Sequence, residues 1–203
     1  MARDKNGIPS QKLNAQIVAR WVSSATHPVL LAIPLVLLVS FRAANSWREG
    51  LQWGSLYLLL AILGPAVLLM QLARSGWLIN PAHARRAERI KPLAISLACL
   101  VITVALLQVF EAPPLLRRLA LIQLAQAALM TAITPAWQIS FHGATSGALA
   151  TTALLFYGAG AWPLAGLLPL VGWAQVVRGR HTAEQVAAGI CLGVVLYTVG
   201  LTL

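Results

Sequence analysis

Long apolar runs separated by short polar segments dominate the chain. A helix needs about 20 apolar residues to cross a hydrocarbon core of about 30 Å, so these runs are predicted to be membrane spans. They are expected at about residues 20–41, 52–73, 92–110, 116–134, 144–158, 161–177 and 185–203. The predicted fold class is all-α, a polytopic transmembrane helical bundle of about six to seven spans.

The stretch 144–177 is too long for one span, because a single helix of that length would measure about 50 Å. The segment Tyr157–Pro163 contains two glycines and a proline, which favour a turn. A hairpin of two short spans is therefore predicted. With this hairpin, two spans separate each of the segments 74–91, 135–143 and 178–184 from the next. All three are then expected on the membrane face that also holds the N-terminus.

Composition supports a membrane protein. The chain is 59% hydrophobic and only 10% charged, which is more apolar surface than a soluble domain of 203 residues can bury. Its seven tryptophans fall near the predicted span ends, as in the aromatic belts of membrane proteins. We find no internal repeat and no soluble domain, so residues 1–203 are predicted to form a single integral membrane domain.

Basic residues are concentrated between the apolar runs. Fifteen Lys and Arg against five Asp and Glu give a formal net charge of +10. In a soluble protein this excess would suggest nucleic acid, but here phosphate headgroups or one bound phosphate are the expected counter-charge. No nucleic-acid partner is predicted, and the pattern indicates no oligomeric state. The bases alone leave the orientation in the membrane open, because six of the eleven expected on the N-terminal side belong to the candidate site.

The first polar segment that carries candidate chemistry is Arg85–Pro92. Arg86 and Arg89 are three residues apart, so they share a face on a helical turn, and Lys91 follows them. Guanidinium and ammonium groups are well suited to binding phosphate. The alternative interpretation is an ordinary basic loop beside a membrane.

The second segment holds Ser140, His142 and Gly143 where a new apolar helix is predicted to begin. The N-terminus of a helix offers free N–H groups and a positive dipole end, which favour an anion. Gly143 allows a close approach to the backbone, and His142 would be placed to donate a proton to a leaving group. The alternative is a helix cap beside an interfacial histidine.

The third segment joins the last two predicted spans and holds Arg178, Arg180 and His181 within four residues. If the last helix begins near Thr182, Gln185 is placed to accept a hydrogen bond from one ring nitrogen of His181. The other nitrogen would then be available as a nucleophile. A basic turn with a solvated histidine is the alternative.

Together the three segments resemble the signature of the type 2 phosphatidic acid phosphatase family. The motifs of that family are Lys-x6-Arg-Pro, Pro-Ser-Gly-His and Ser-Arg-x5-His-x3-Asp. A bacterial branch reads Arg-x-Glu-Arg-x-x-Pro, Lys-Ile-Ser-x-His and Trp-Ala-Arg-x5-His-Thr-x-x-Gln-Val. The resemblance covers a motif-bearing core at 85–189, where the branch motifs are matched by residues 86–92, 138–142 and 173–186.

The resemblance implies metal-independent and cofactor-free hydrolysis of a membrane lipid phosphate or pyrophosphate. His181 would form a phosphohistidine intermediate, and His142 would act as the general acid and base, with Gln185 as the third residue of the catalytic set. The implied partners are a lipid phosphate substrate and membrane lipids, and the implied location is the bacterial cytoplasmic membrane. We expect phosphate to be bound by Arg86, Arg89, Lys91, Ser140, Gly143, Arg178 and Arg180.

The chain departs from the family pattern at two positions. Gln175 stands where the family has arginine, and Gln138 stands where the branch often has lysine. Each difference removes one positive charge from the expected phosphate clamp. Our hypothesis is that Arg178, three residues after Gln175, supplies the missing guanidinium from the same side of the helix. The alternative is a catalytically impaired member that binds lipid phosphates without turnover.

His27 lies inside the first predicted span, next to Pro28. It is interpreted as a neutral histidine bonded to a neighbouring helix, with a helix bend possible at this point. A third function would use His27, His142 and His181 as haem ligands in a membrane electron carrier. It is disfavoured because His142 and His181 are expected beside arginines at the membrane interface.

Overall fold

The computed structural model describes residues 10–77 and 90–203, and within these residues the chain forms helices joined by turns, with no strand. The sequence-based prediction of an all-α chain is therefore confirmed. The helices are α1 (Ser10–Ala25), α2 (Pro28–Ala43), α3 (Trp47–Leu58), α4 (Gly64–Arg74), α5 (Ile90–Val109), α6 (Pro114–Ile133), α7 (Phe141–Tyr157), α8 (Trp162–Ala165), α9 (Leu167–Val177) and α10 (Ala183–Thr202), with a π-helical segment at Leu59–Leu63 and a 3-10 turn at Gly158–Ala161.

Five helical segments in the described part of the chain are long and apolar enough to cross a membrane, and the bent pair α1–α2 brings the number to six. Large apolar side chains are exposed along these segments, among them Leu59, Ile102 and Val195. Such a surface is stable against hydrocarbon and not against water. Six of the seven tryptophans are also exposed, the exception being Trp53. The protein is a membrane protein.

The predicted continuous span at 20–41 is wrong in its bounds. Helix α1 begins ten residues earlier, and the helix is interrupted at Thr26 and His27 with a bend of 40°. The reason is Pro28, which lacks an N–H group and disfavours helical geometry in the residue before it. A new helix starts there, and Leu31 N donates a hydrogen bond to His27 O at 3.0 Å.

The predicted pair of helices in the stretch 144–177 is present, but the prediction that both are spans is wrong, since Phe141–Ala165 is one candidate span and a shorter helix follows it. Helix α7 ends at Gly158, whose φ of +58° is a conformation that glycine adopts without strain. Helices α7 and α9 then pack against each other. Helix α9 has 11 residues and is about 16 Å long, so it is too short to cross a hydrocarbon core by itself. The sixth predicted span, 161–177, is thus a short helix packed beside α7.

The chain divides into two compact units, 33–138 with 196–203, and 1–32 with 139–195. In the former, the Tyr57 hydroxyl donates to Gln123 Oε1 at 2.7 Å, and Tyr197 lies beside the same amide. Both tyrosines are fully buried. A hydroxyl removed from water needs such a partner, since leaving it unsatisfied costs free energy.

The second unit contains α1, α7, α9 and most of α10, and α7 packs closely against α10 in it. Glycines spaced one helical turn apart face the partner backbone in both helices. A Cβ atom added to Gly143 would lie 2.7 Å from Val186 O, and one added to Gly147 would lie 2.6 Å from Ile190 O. Added Cβ atoms would likewise collide with carbonyl oxygens at two glycines of α10, Gly189 and Gly193. We refer to these four residues as the glycine seam, a small-xxx-small contact of the kind that holds membrane helices together.

The glycine seam predicts that Gly147→Ala destabilises the protein. The added methyl group meets backbone and not a movable side chain, so the helices must separate, at a cost of about 1–3 kcal/mol. The thermal unfolding midpoint in detergent should fall. The matched control is Gly160→Ala, because nothing lies within 4 Å of the Cβ position there. Equal midpoints for the two variants would contradict the seam.

Candidate functional site

The N-terminus of α7 is fixed by Ser140. This residue is fully buried, and its Oγ accepts a hydrogen bond from Gly143 N at 3.2 Å, which caps the helix. Ser140 N in turn donates to Gln185 O at 3.1 Å, linking the start of α7 to the first turn of α10. Ser140 and Gly143, expected to bind phosphate, thus also have structural functions. The cap orients His142, the second residue of α7.

The turn between α9 and α10 is fixed at both ends by local hydrogen bonds. After Arg178, Gly179 has a φ of +62° and donates to Val176 O at 2.9 Å, and Arg180 N donates to Gln175 O at 3.1 Å. These two bonds form a Schellman motif, which ends a helix and requires a left-handed residue at the position of Gly179.

A capping box starts α10. Gln185 N donates to Thr182 Oγ1 at 3.3 Å, and Thr182 N donates to Gln185 Oε1 at 3.1 Å. The predicted start of the last helix near Thr182 is confirmed. The side chain of Gln185 thus satisfies a backbone N–H of its own helix, while its predicted bond to the His181 ring stays a prediction. His181 is the residue immediately before the cap.

The site histidines of α7 and of the α9–α10 turn lie at the same end of the glycine seam. His142 is within electrostatic range of Arg178, and of His181 when that ring is protonated. The second and third sequence segments therefore meet, as predicted. Their meeting follows from the glycine seam and from the backbone bond between Ser140 and Gln185.

Three nitrogen-bearing side chains converge on Ser23 of α1, a residue that is only 1% exposed. Gln175 Nε2 donates to Ser23 Oγ at 2.9 Å, and Arg178 Nη1 donates to the same oxygen. His142 Nε2 lies 3.5 Å from Ser23 Oγ and 3.3 Å from Ser23 O. We refer to these four residues as the Ser23 cluster. It brings α1, α7 and the end of α9 together around one hydroxyl.

Ser23 gives His142 a partner in both of its protonation states. When Nε2 carries a proton, it donates to Ser23 O; when Nε2 is bare, the Ser23 hydroxyl can donate to it. The ring can therefore exchange a proton without leaving a polar atom unsatisfied. This property suits a residue that acts as a general acid and base.

His27 packs directly against the Ser23 cluster. Its ring meets that of His142 edge to face, with the centroids 5.8 Å apart and an interplanar angle of 82°. His27 Nδ1 accepts a hydrogen bond from Val29 N at 3.3 Å, so in the neutral ring the proton is on Nε2. Contact with a neighbouring helix agrees with our interpretation of His27, although the hydrogen bond itself is local. Our sequence analysis did not find Ser23, which lies one helical turn before His27.

Arg178, the cationic member of the Ser23 cluster, has further positive charge around it. Burial lowers the pKa of the Arg178 guanidinium, and the charges of Arg180 and Arg20 lower it further, so both of these arginines are within electrostatic range of it. Arginine nevertheless stays protonated at any physiological pH. Among the residues that the structure describes, no carboxylate is paired with these three groups.

The first sequence segment contributes little to this description. Arg86 and Arg89 lie outside the described residues. Lys91 belongs to the other compact unit, where its Nζ is 5.3 Å from the centroid of the Trp77 ring, a cation–π contact. The expected phosphate contacts of these three residues stay predictions.

An apolar groove of about 400 Å³ lies between α9 and α10. It begins at Val177 and Ala183, the residues that flank the basic turn, and continues along the helices to Pro169 and Ile190. Its size is within the range of small-molecule sites in proteins. In the described part of the chain, no group of three or more His, Cys, Asp or Glu side chains could hold a metal ion.

Comparison of the chain with protein-family models, with curated proteins and with solved structures finds no match.

The Schellman motif predicts that Gly179→Ala destabilises the turn that carries Arg178, Arg180 and His181. A residue with a Cβ loses about 1–2 kcal/mol in a left-handed conformation, although nothing crowds the side-chain position. Gly179→Asn should lose less, because asparagine tolerates this conformation. Thermal unfolding in detergent measures both. An alanine variant at least as stable as the parent would rule out the motif.

Proposed function

We propose that the protein is a phosphatase of the type 2 phosphatidic acid phosphatase family that hydrolyses a lipid phosphate or pyrophosphate in the bacterial cytoplasmic membrane. One observation carries the proposal: His142, a histidine with a proton-exchanging partner, stands beside Arg178, which has other arginines within electrostatic range and no carboxylate partner among the described residues. His181, from a distant part of the chain, lies within electrostatic range of that histidine.

In the first chemical step, a ring nitrogen of His181 attacks the phosphorus atom. A nitrogen–phosphorus bond forms while the bond to the leaving oxygen breaks, and its electron pair goes to that oxygen. Protonated His142 donates its Nε2 proton to the departing oxygen, so the lipid leaves as a neutral alcohol or, from a pyrophosphate, as a phosphate.

In the second step, water attacks the phosphorus atom of the phosphohistidine. His142 Nε2, now bare, takes a proton from the water, the nitrogen–phosphorus bond breaks, and its electron pair returns to His181. Inorganic phosphate is released, and both histidines are back in their starting states. The sum of the two steps is hydrolysis of one phosphate bond by one water.

The positive charge near these histidines is required because phosphoryl transfer depends mainly on positioning and charge stabilisation. Gln175 and Arg178 donate to the same oxygen, Ser23 Oγ, so both side chains reach the same point. This geometry supports the hypothesis that Arg178 supplies the guanidinium that the chain lacks at position 175.

The apolar groove favours a lipid over a soluble phosphate ester. One end of the groove lies at the turn that carries Arg178 and Arg180, and its walls are apolar side chains of α9 and α10. A molecule with an anionic head and a hydrocarbon tail matches both features. The tail would lie along the membrane helices while the phosphate reaches the guanidinium groups.

Phosphate release by purified protein in chelator tests the proposal. Phosphatidate, phosphatidylglycerol phosphate, diacylglycerol pyrophosphate and undecaprenyl pyrophosphate form the substrate panel. We expect turnover of at least one of them, loss of activity in His181→Ala, and a reduction of about 100-fold in Arg178→Ala. Arg118→Ala is the matched control, since it removes an exposed arginine from the other unit.

Full activity in His181→Ala would refute the phosphohistidine mechanism. Full activity in Arg178→Ala would refute the hypothesis that Arg178 supplies the guanidinium missing at position 175. Tight binding of the same lipids without any turnover would instead indicate the catalytically impaired member. An acid-labile phosphoryl group trapped on His181 during turnover would distinguish covalent catalysis from direct attack by water.

A further inference from the structure

The Ser23 hydroxyl uses all of its hydrogen-bonding capacity within the Ser23 cluster. A hydroxyl group offers two acceptor positions and one donor. Gln175 Nε2 and Arg178 Nη1 occupy the acceptor positions, and the remaining hydrogen can reach His142 Nε2, 3.5 Å away, when that nitrogen is bare. No other hydroxyl in the described residues joins three functional side chains in this way. One oxygen on α1 thus holds groups from two other helices.

Arg178 depends on this contact for its position. The residue follows the last residue of α9 and is the C-cap, so the regular helix does not fix the direction of its side chain. Among the described residues, Ser23 is the one hydrogen-bond partner of the guanidinium. Four of the five N–H donors of the group then remain for an anion.

We propose that Ser23 is a positioning residue of the anion site: its hydroxyl holds the Arg178 guanidinium beside Gln175, where a phosphate oxygen can be bound. The inference rests on the proposed function for the identity of the anion, but it concerns binding and not turnover. Helix α1 becomes a third component of the site, besides the N-terminus of α7 and the α9–α10 turn.

The opposite interpretation is that Ser23 blocks the anion position. The two interpretations predict opposite changes in anion affinity when the hydroxyl is removed. Ser23 Oγ also occupies a point to which three nitrogen atoms are directed, so an anion oxygen at the same point would have to displace it. If Ser23 Oγ only fills the position of an anion oxygen, removal of the hydroxyl would strengthen anion binding. If Ser23 positions Arg178, its removal weakens anion binding, because a flexible guanidinium loses conformational entropy when the anion orders it.

Binding of inorganic phosphate to the full chain in detergent tests the proposal, with titration calorimetry as the measurement. Ser23→Ala should weaken binding about tenfold, the effect of one hydrogen bond to a charged group. Ser23→Thr, which keeps the hydroxyl, should restore most of it. The matched control is Ser24→Ala, because Ser24 is the exposed neighbour on the same helix. Circular dichroism and gel filtration confirm that each variant is folded.

A double-mutant cycle separates positioning from general destabilisation. If Ser23 acts through Arg178, Ser23→Ala combined with Arg178→Ala should bind phosphate no more weakly than Arg178→Ala alone. Additive losses, unchanged binding in Ser23→Ala or tighter binding in Ser23→Ala would each overturn the proposal. Phosphate binding without turnover would leave it standing while refuting the proposed enzyme, and absence of phosphate binding to the parent protein would overturn both.

Discussion

Backbone contact between α7 and α10 is the constraint on which the candidate site depends. Gly143 and Gly147 let α7 approach carbonyl oxygens of α10, and the glycines of α10 do the same for α7. In a membrane, helix association cannot be driven by exclusion of water from apolar surface, so close packing of small residues has to supply it. The backbone bond from Ser140 to Gln185 then fixes the two helices in register at one end. His142 and His181 project from that end.

The polar residues at this end satisfy two demands together. Backbone groups at helix termini need partners, and these are supplied by Ser140, by the Schellman motif at Gly179 and by the capping box of Thr182 with Gln185. The same local structures give the basic and histidine side chains defined directions. Because the capping residues are neighbours of the functional residues in the sequence, a substitution that alters a functional side chain can also disturb the helix end that holds it.

The sequence predicted the elements better than it predicted the contacts. The apolar runs and the polar segments between them predicted the helices. Gly158 indicated the end of α7, and the residues before Gln185 indicated the start of α10. Ser23 could not be found in this way, because a single hydroxyl in an apolar run has no periodic signal and its partners lie 119 to 155 residues away in the chain.

The paired G-x-x-x-G spacings are visible in the sequence, but the sequence does not say which helices they join. The break at His27 was signalled by Pro28, whereas the earlier start of α1 had no hydropathy signal, since that helix is largely polar there.

Whether His142 and His181 serve one anion is the central question. Nitrogen-15 NMR of histidine-labelled protein in detergent, titrated with orthovanadate as a phosphoryl-transfer analogue, answers it directly once single substitutions have assigned the ring signals. The account predicts that the signals of both histidines change together, with one midpoint and one vanadate per chain. Separate midpoints, or a response from only one of the two rings, would contradict it.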